Sequence, residues 1–165
     1  MTYTFRKCDE DLMAGSAEIC NLYEFGDGLD DFMRNYALAY GQLKTRFGEP
    51  MHTSKDLECL YDYCLIAADE DGNELILTAY CGPSGPAIGG DPGDQNAVMA
   101  AKQLEKYISE ATPTDCKISG YYYDSGLPLK ITLGVKNGEP YMKGSLSFLR
   151  LFEMIGSYLR FFIHR

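Results

Sequence analysis

A serine flanked by glycine and proline is the first feature of the sequence that could do chemistry. In Gly82-Pro83-Ser84-Gly85-Pro86 it occupies the place of the nucleophile in a G-x-S-x-G elbow, but proline stands where the final glycine is required. A serine or cysteine nucleophile also needs a histidine base. The two histidines are His52, in a predicted connector, and His164, the penultimate residue. The pattern therefore argues against a hydrolase of this kind.

The longer segment Gly82–Gly90 could bind a ligand through its backbone. Glycine lets N–H groups approach a ligand, and the segment leads into a predicted helix N-terminus. No Gly-Lys-Ser or Gly-Lys-Thr follows it, and Asp91 and Asp94 would place negative charge where a phosphate should lie. We predict a rigid surface loop from strand to helix. A small-ligand-binding protein or enzyme that uses this loop is an alternative hypothesis.

Carboxylates and cysteines are numerous, but their spacing favours neither an acid–base pair nor a metal site. Glu58 with Asp62, or Asp69 with Asp71, would need burial or a close like charge to shift a pKa, and the sequence indicates neither. The six cysteines contain no C-x-x-C pair, and with two histidines they form no zinc spacing. We predict free thiols, no metal and no cofactor.

Charge is sorted along the chain. Asp and Glu outnumber Lys and Arg by 24 to 15, a formal net charge of −9. Residues 9–31 and 56–74 contain acids and no lysine or arginine, whereas most of the charged residues in 130–165 are lysine or arginine. Because phosphate affinity comes from lysine and arginine, this balance argues against nucleic acid and anionic membrane as partners. It favours a basic protein surface.

Apolar spacing predicts three helices. Leu29–Phe47 repeats apolar residues at intervals of three and four and ends before Gly48, a suitable C-terminal cap. A second helix is predicted to start at Asp91 as N-cap, with a proline at its first position, and to fade near Ala111. The third spans Ser147–Ile163, with one apolar and one charged face.

Five strands are predicted, and all are joined by hairpins or short connections. They are Leu57–Ala67, Glu74–Cys81, Ile118–Tyr123, Leu129–Val135 and Pro140–Lys143. Residues 69–73 and Asn137-Gly138 supply the turn signals. Hairpin connections predict an antiparallel sheet covered on one side by helices, an α+β fold of about five strands and about three helices in two layers.

The length of 165 residues suits a single domain, 1–165, with room for a loosely ordered acidic segment over residues 1–26. No apolar run approaches the roughly 18 to 20 residues needed to cross a bilayer, and the N-terminus lacks the apolar region of a signal peptide. We therefore expect a cytoplasmic protein.

Tyrosine is abundant, with thirteen residues and no tryptophan. In the predicted strand, Tyr121-Tyr122-Tyr123 sends the middle side chain to one face of the sheet and the other two to the opposite face. One set can be core. The other can be core or an exposed patch, and exposed tyrosine suits protein recognition.

One stretch of the chain resembles a known class of protein. The order Phe47-Gly48-Glu49-Pro50, Tyr61-Asp62-Tyr63, Asp71-Gly72 and Leu77-Thr78-Ala79-Tyr80 is similar to the helix, Gly-Glu-Pro exit and tyrosine-rich hairpin of small bacterial immunity proteins of toxin systems and of small phage-encoded proteins. The resemblance covers a minor part of the chain and transfers no site residue. It implies an inhibitor of a toxin.

The leading hypothesis is a cytoplasmic, non-enzymatic inhibitor of immunity type that neutralises a basic protein, such as a toxin or a nucleic-acid enzyme. Acidic surfaces mimic the phosphate backbone that a nuclease reads, and charge steering makes capture fast. The predicted partner-binding residues are Asp69, Glu70, Asp71, Glu74, Tyr121 and Tyr123. A further alternative is a self-associating structural or accessory subunit, and the oligomeric state stays open.

Overall fold

The computed structural model describes residues 1–8, 17–23, 29–54, 60–82, 85–124 and 127–146. This part of the chain contains nine strands and two helices. The strands are β1 (Thr4–Lys7), β2 (Ala17–Asn21), β3 (His52–Thr53), β4 (Tyr61–Ala68), β5 (Glu74–Gly82), β6 (Gly85–Gly90), β7 (Cys116–Asp124), β8 (Leu127–Lys136) and β9 (Glu139–Leu146). The helices are α1 (Leu29–Phe47) and α2 (Gln95–Ser109).

The strands form two sheets, and every pairing is antiparallel. The first sheet has the order β1-β4-β5-β6-β2, with β3 paired to β4, and the second has the order β7-β8-β9. The predicted α+β class and antiparallel pairing are confirmed. The single two-layer sheet is wrong in detail, because among the described residues the two groups of hairpins pair only within themselves.

Helix α1 connects the two sheets through one hydrophobic core. Its bounds are those that the apolar spacing predicts. The Tyr40 ring stacks on Tyr61 of the first sheet, with 5.0 Å between centroids. On the second sheet, Leu133 and Val135 of β8 belong to the same buried cluster as Leu43 of α1. Because α1 buries apolar residues against both sheets, the two sheets share one core although they are separate.

Both predicted hairpin turns are present. Residues 69–73 join β4 to β5, and Ala68 pairs with Glu74 at the end of the ladder. At the second turn Asn137 has φ 55° and Gly138 φ 81°, so both residues adopt the left-handed conformation that a two-residue hairpin of the Asn-Gly type requires.

The glycine- and proline-rich segment is a strand where a surface loop is predicted. Gly85–Gly90 is buried along its length and pairs with β5 on one side and β2 on the other. A Cβ at Gly90 would lie 2.9 Å from Ile19 Cδ1 and 3.0 Å from Leu77 Cδ2, so the small residues let neighbouring apolar side chains close over the strand. Pairing on both sides therefore overrides the low strand propensity of glycine.

Helix α2 begins one turn later than predicted. Its N-cap is Asp94, whose side chain accepts a hydrogen bond from the Asn96 N–H at 2.8 Å. Asp91 instead accepts a hydrogen bond from the Gly93 N–H at 2.9 Å and closes a turn ahead of the helix. Asp-Pro-Gly-Asp contains two aspartates that can each bond the backbone two residues on, and the second one starts the helix.

The two ends of the chain contain the predicted acidic segment and the third predicted helix. The described part of residues 1–26, expected to be loosely ordered, contributes β1 and β2 to the first sheet. The reason is apolar side chains among the acids: Phe5 packs on Tyr107 of α2 with 5.6 Å between ring centroids. The predicted helix Ser147–Ile163 lies outside the described residues. Neither α1 nor α2 is long and apolar enough to cross a membrane.

Candidate protein-interaction site

The four predicted acids lie together at the β4–β5 turn. We call Asp69, Glu70, Asp71 and Glu74 the acidic turn. It places four carboxylates within six residues, completed by Gly72 and Asn73. Glu70, Asp71 and Glu74 are exposed, and Asp69 is partly exposed. The hairpin thus gathers these charges at the end of a ladder whose strands are largely buried.

Asp69 holds the turn in shape. Its Oδ1 accepts hydrogen bonds from the backbone N–H groups of Asp71 at 3.0 Å and Asn73 at 2.8 Å, and its Oδ2 accepts one from the Asn73 side-chain amide at 2.9 Å. The Asn73 side chain in the first place, and backbone N–H groups after it, lower the pKa of Asp69 below its ordinary value. The carboxylate is therefore committed to the turn, where it fixes the positions of its neighbours.

Glu74 is also engaged, whereas the charges of Glu70 and Asp71 point outward. Arg6 of β1 forms an ion pair with Glu74 at 3.0 Å, and both side chains are about half exposed. Exposed pairs of this kind contribute little to stability. Within the part of the chain that the structure describes, no lysine or arginine forms an ion pair with Glu70 or Asp71. These two residues carry the free charge of the acidic turn.

Replacing Asn73 with alanine is expected to raise the pKa of Asp69 toward its ordinary value of about 3.9, because the first cause of the lowered pKa is removed. The test is an NMR titration of the Asp69 carboxyl carbon. Any stability that this carboxylate supplies is present above its ordinary pKa and is lost as the pH falls through its lowered one. Glu70→Gln is the control: it keeps the hydrogen bonds, so the pKa should stay low. An unchanged pKa in Asn73→Ala would contradict this account.

The two tyrosines predicted to act as anchors lie in the other sheet. Tyr121 belongs to β7 and pairs in register with Lys130 of β8. Its ring is partly exposed. Tyr123 is in the same strand, but its side chain lies outside the described residues. The structure brings the four acids together and places the tyrosines in a different element, so an anchoring role for them stays a prediction.

The outer side of the second sheet is a site that sequence reasoning missed. Residues Ile118, Ile131, Leu133 and Val135 point into the core, so the alternate positions of β7–β9 face away from it. We call this surface the basic face. It includes Lys117, Tyr121, Lys130, Lys136, Tyr141 and Lys143, with the exposed Glu139 opposite Lys136 in the register. The signal lies in β8, where Lys130, Thr132, Gly134 and Lys136 alternate with Ile131, Leu133 and Val135.

At the centre of the basic face the Tyr141 ring lies against Gly134. Gly134 of β8 pairs with Lys117 on one side and with Tyr141 on the other. A Cβ at Gly134 would lie 2.8 Å from Tyr141 Cζ, which means that the ring lies across the glycine backbone. The Lys143 ammonium is 5.9 Å from the same ring. Lysine and tyrosine side chains therefore lie next to each other at the centre of this face.

Comparison of the chain with family models, with curated proteins and with solved structures finds no match.

The described cysteines and histidine lie in or beside strands of both sheets. Cys8, Cys20, Cys64, Cys81 and Cys116 are thiols that form no disulfide with one another. Burial raises the pKa of the Cys20 thiol to about 11, which opposes formation of the nucleophilic thiolate. In the described ranges no group of His, Cys, Asp and Glu could hold a metal ion. The predicted connector around the first histidine contains a short strand, β3, paired to β4.

Charge is distributed unevenly between the sequence before the second sheet and the sequence from the second sheet onward. Residues 1–114, which supply the first sheet and both helices, contain 20 acids and eight lysines and arginines. Residues 115–165, which include the second sheet, contain four acids and seven lysines and arginines. The formal charges are therefore −12 and +3. Arg150, Arg160 and Arg165 lie outside the described residues, and over residues 115–124 and 127–146 four lysines stand against three acids.

Proposed function

We propose that this protein is a non-enzymatic inhibitor of immunity type, which binds a basic protein partner through the acidic turn. The observation that carries the proposal is the internal bonding of Asp69, which holds the turn while leaving Glu70 and Asp71 exposed. The proposed partner is a toxin or a nucleic-acid enzyme, and the proposed location is the cytoplasm.

A preorganised turn suits recognition for a physical reason. Binding costs free energy when a loop must be ordered, and the bonds between Asp69 and Asn73 already supply that order. Exposed carboxylates without basic neighbours also generate an attractive field for lysine and arginine side chains, which speeds encounter. The low charge density of the rest of the hairpin concentrates this field at its tip.

A ligand-binding protein or enzyme that uses the glycine loop is the alternative, and it has less support than the acidic turn. Gly85–Gly90 pairs with strands on both sides, so its backbone N–H and C=O groups are used within the sheet. Pro83 and Ser84 lie outside the described residues. Self-association, the third possibility, is favoured by the exposed lysines of the basic face.

Reversing the charge of the turn with Glu70→Lys and Asp71→Lys is expected to weaken binding of the basic partner at least tenfold, about 1.4 kcal/mol, because like charges then face each other. The partner is first recovered from a lysate of the source cell at low and raised salt. Its affinity for each purified variant is then measured by calorimetry.

The matched control is Asp31→Lys with Glu110→Lys, which makes the same change in net charge at two exposed sites, one in α1 and one at the C-cap of α2. It should bind within about twofold of the wild type if position, rather than total charge, decides affinity. Equal losses in both double variants, or a partner whose capture does not respond to salt, would count against the acidic turn as the binding site.

A further inference from the structure

The basic face concentrates cationic side chains that the proposed function does not use. Lys117, Lys130, Lys136 and Lys143 are all exposed. In the described part of the chain none of them forms an ion pair with a carboxylate. On this side the three strands carry four lysines against one carboxylate, Glu139, so the face is positively charged in a chain of net charge −9.

The surface between the lysines is built for contact with a polar partner. The hydroxyl groups of Ser119 and Thr132 hydrogen-bond each other at 2.8 Å across β7 and β8. Lys143 of β9 lies beside Thr132 in the register, and Lys130 lies beside Tyr121. Ammonium and hydroxyl donors thus alternate over the sheet, an arrangement suited to carboxylates.

We propose that the basic face binds the acidic turn of a second copy of this chain. The acidic turn presents the exposed carboxylates of Glu70 and Asp71, and the basic face presents exposed ammonium groups, so the two surfaces are complementary in charge. A contact between the acidic turn of one copy and the basic face of another is therefore attractive, whereas a contact between two acidic turns is repulsive.

Net repulsion between copies does not cancel this contact. At physiological ionic strength charges are screened over about 8 Å, so two surfaces in contact respond to their own charges more than to those on the far side of the molecule. The same screening predicts that the association weakens as salt is raised further. This inference does not rest on the proposed function, because it concerns the purified protein alone.

Sedimentation velocity of the purified chain tests the proposal with a charge swap. The wild type should show a species larger than one chain at micromolar concentration, and this species should diminish as salt rises to about 0.5 M. The face variant Lys130→Glu with Lys143→Glu should be monomeric, and so should the turn variant Glu70→Lys with Asp71→Lys. An equimolar mixture of the two variants should associate again, because the reversed turn then meets the reversed face.

The control is Lys102→Glu with Lys106→Glu on α2, which changes the net charge as the face variant does and should leave association within about twofold of the wild type. A wild type that is monomeric at every concentration and salt overturns the proposal, as does a mixture of variants that stays monomeric. Labelled single-stranded oligothymidine is the other probe. If the wild type binds it and the face variant does not, the basic face is a nucleic-acid site instead.

The face variant also separates this inference from the proposed function. Lys130→Glu with Lys143→Glu leaves the acidic turn intact and unoccupied by a second copy, so it should capture the basic partner at least as well as the wild type. Loss of self-association with retained capture supports the two roles independently. Loss of capture by the turn variant alone bears only on the proposed function.

Discussion

Replacing Gly134 with alanine is expected to destabilise the protein by more than about 3 kcal/mol, because the added methyl group has no room. A Cβ at this position would lie 2.2 Å from the Cys116 carbonyl oxygen and 2.7 Å from the Tyr141 hydroxyl oxygen. The first of these atoms belongs to the backbone of the neighbouring strand, so no side-chain rotation can relieve the contact. The sheet would have to separate locally between β7 and β8.

Gly144→Ala is the matched control for this prediction. It makes the same chemical change in the adjacent strand β9, but the nearest neighbour of a Cβ there is Leu129 Cδ1 at 3.8 Å, an ordinary contact. Its cost should stay below about 1 kcal/mol. Urea unfolding followed by circular dichroism gives both free energies. Similar midpoints for the two variants would show that the strands do not approach as closely as described.

The second large effect is expected at Gln42, a buried polar side chain on α1 with 6% of its surface exposed. Its amide nitrogen donates hydrogen bonds to the carbonyl oxygens of Ser109 at 3.0 Å and Ala111 at 3.1 Å, and its carbonyl oxygen accepts one from the Tyr23 hydroxyl. Gln42→Leu should destabilise the protein by about 2 to 4 kcal/mol, because it leaves these partners unpaired near the end of α2.

Tyr23→Phe separates the contributions of the Gln42 bonds. It removes one hydrogen bond and leaves the two to the end of α2, so a loss of about 1 kcal/mol is expected. Unfolding free energies from urea titration provide the comparison. If Gln42→Leu costs no more than Tyr23→Phe, the bonds between α1 and the end of α2 contribute nothing measurable.

The elements that could be predicted are those whose signals are local. The 3.6-residue apolar period placed α1 at Leu29–Phe47, and the Asn-Gly dipeptide placed the β8–β9 turn. The acidic turn was foreseen for the same reason, because its acids are neighbours in the sequence. In each case the residues that decide the structure lie within a few positions of one another.

The elements that were missed depend on distant partners. Gly85–Gly90 is a strand because β2 and β5 form hydrogen bonds with its two edges. Nothing within the segment itself predicts that these strands will pair with it. The tyrosines of β7 lie away from the acidic turn because β7 belongs to the second sheet, and the sequence alone does not show which sheet a strand joins. The lysines of the basic face are spread from position 117 to 143, and they become one surface only when the register of three strands is known.

The buried tyrosines packed around α1 make the stability of the fold depend on pH in the alkaline range. Burial raises the pKa of Tyr40 and, further still, those of Tyr61 and Tyr63. A phenol with a raised pKa in the folded state stabilises the fold below its ordinary pKa of about 10, and this contribution is lost as the pH rises. Unfolding in alkali must therefore release protons from the core. In a chain without tryptophan, the change in tyrosine absorbance on ionisation becomes the natural optical signal of its collapse.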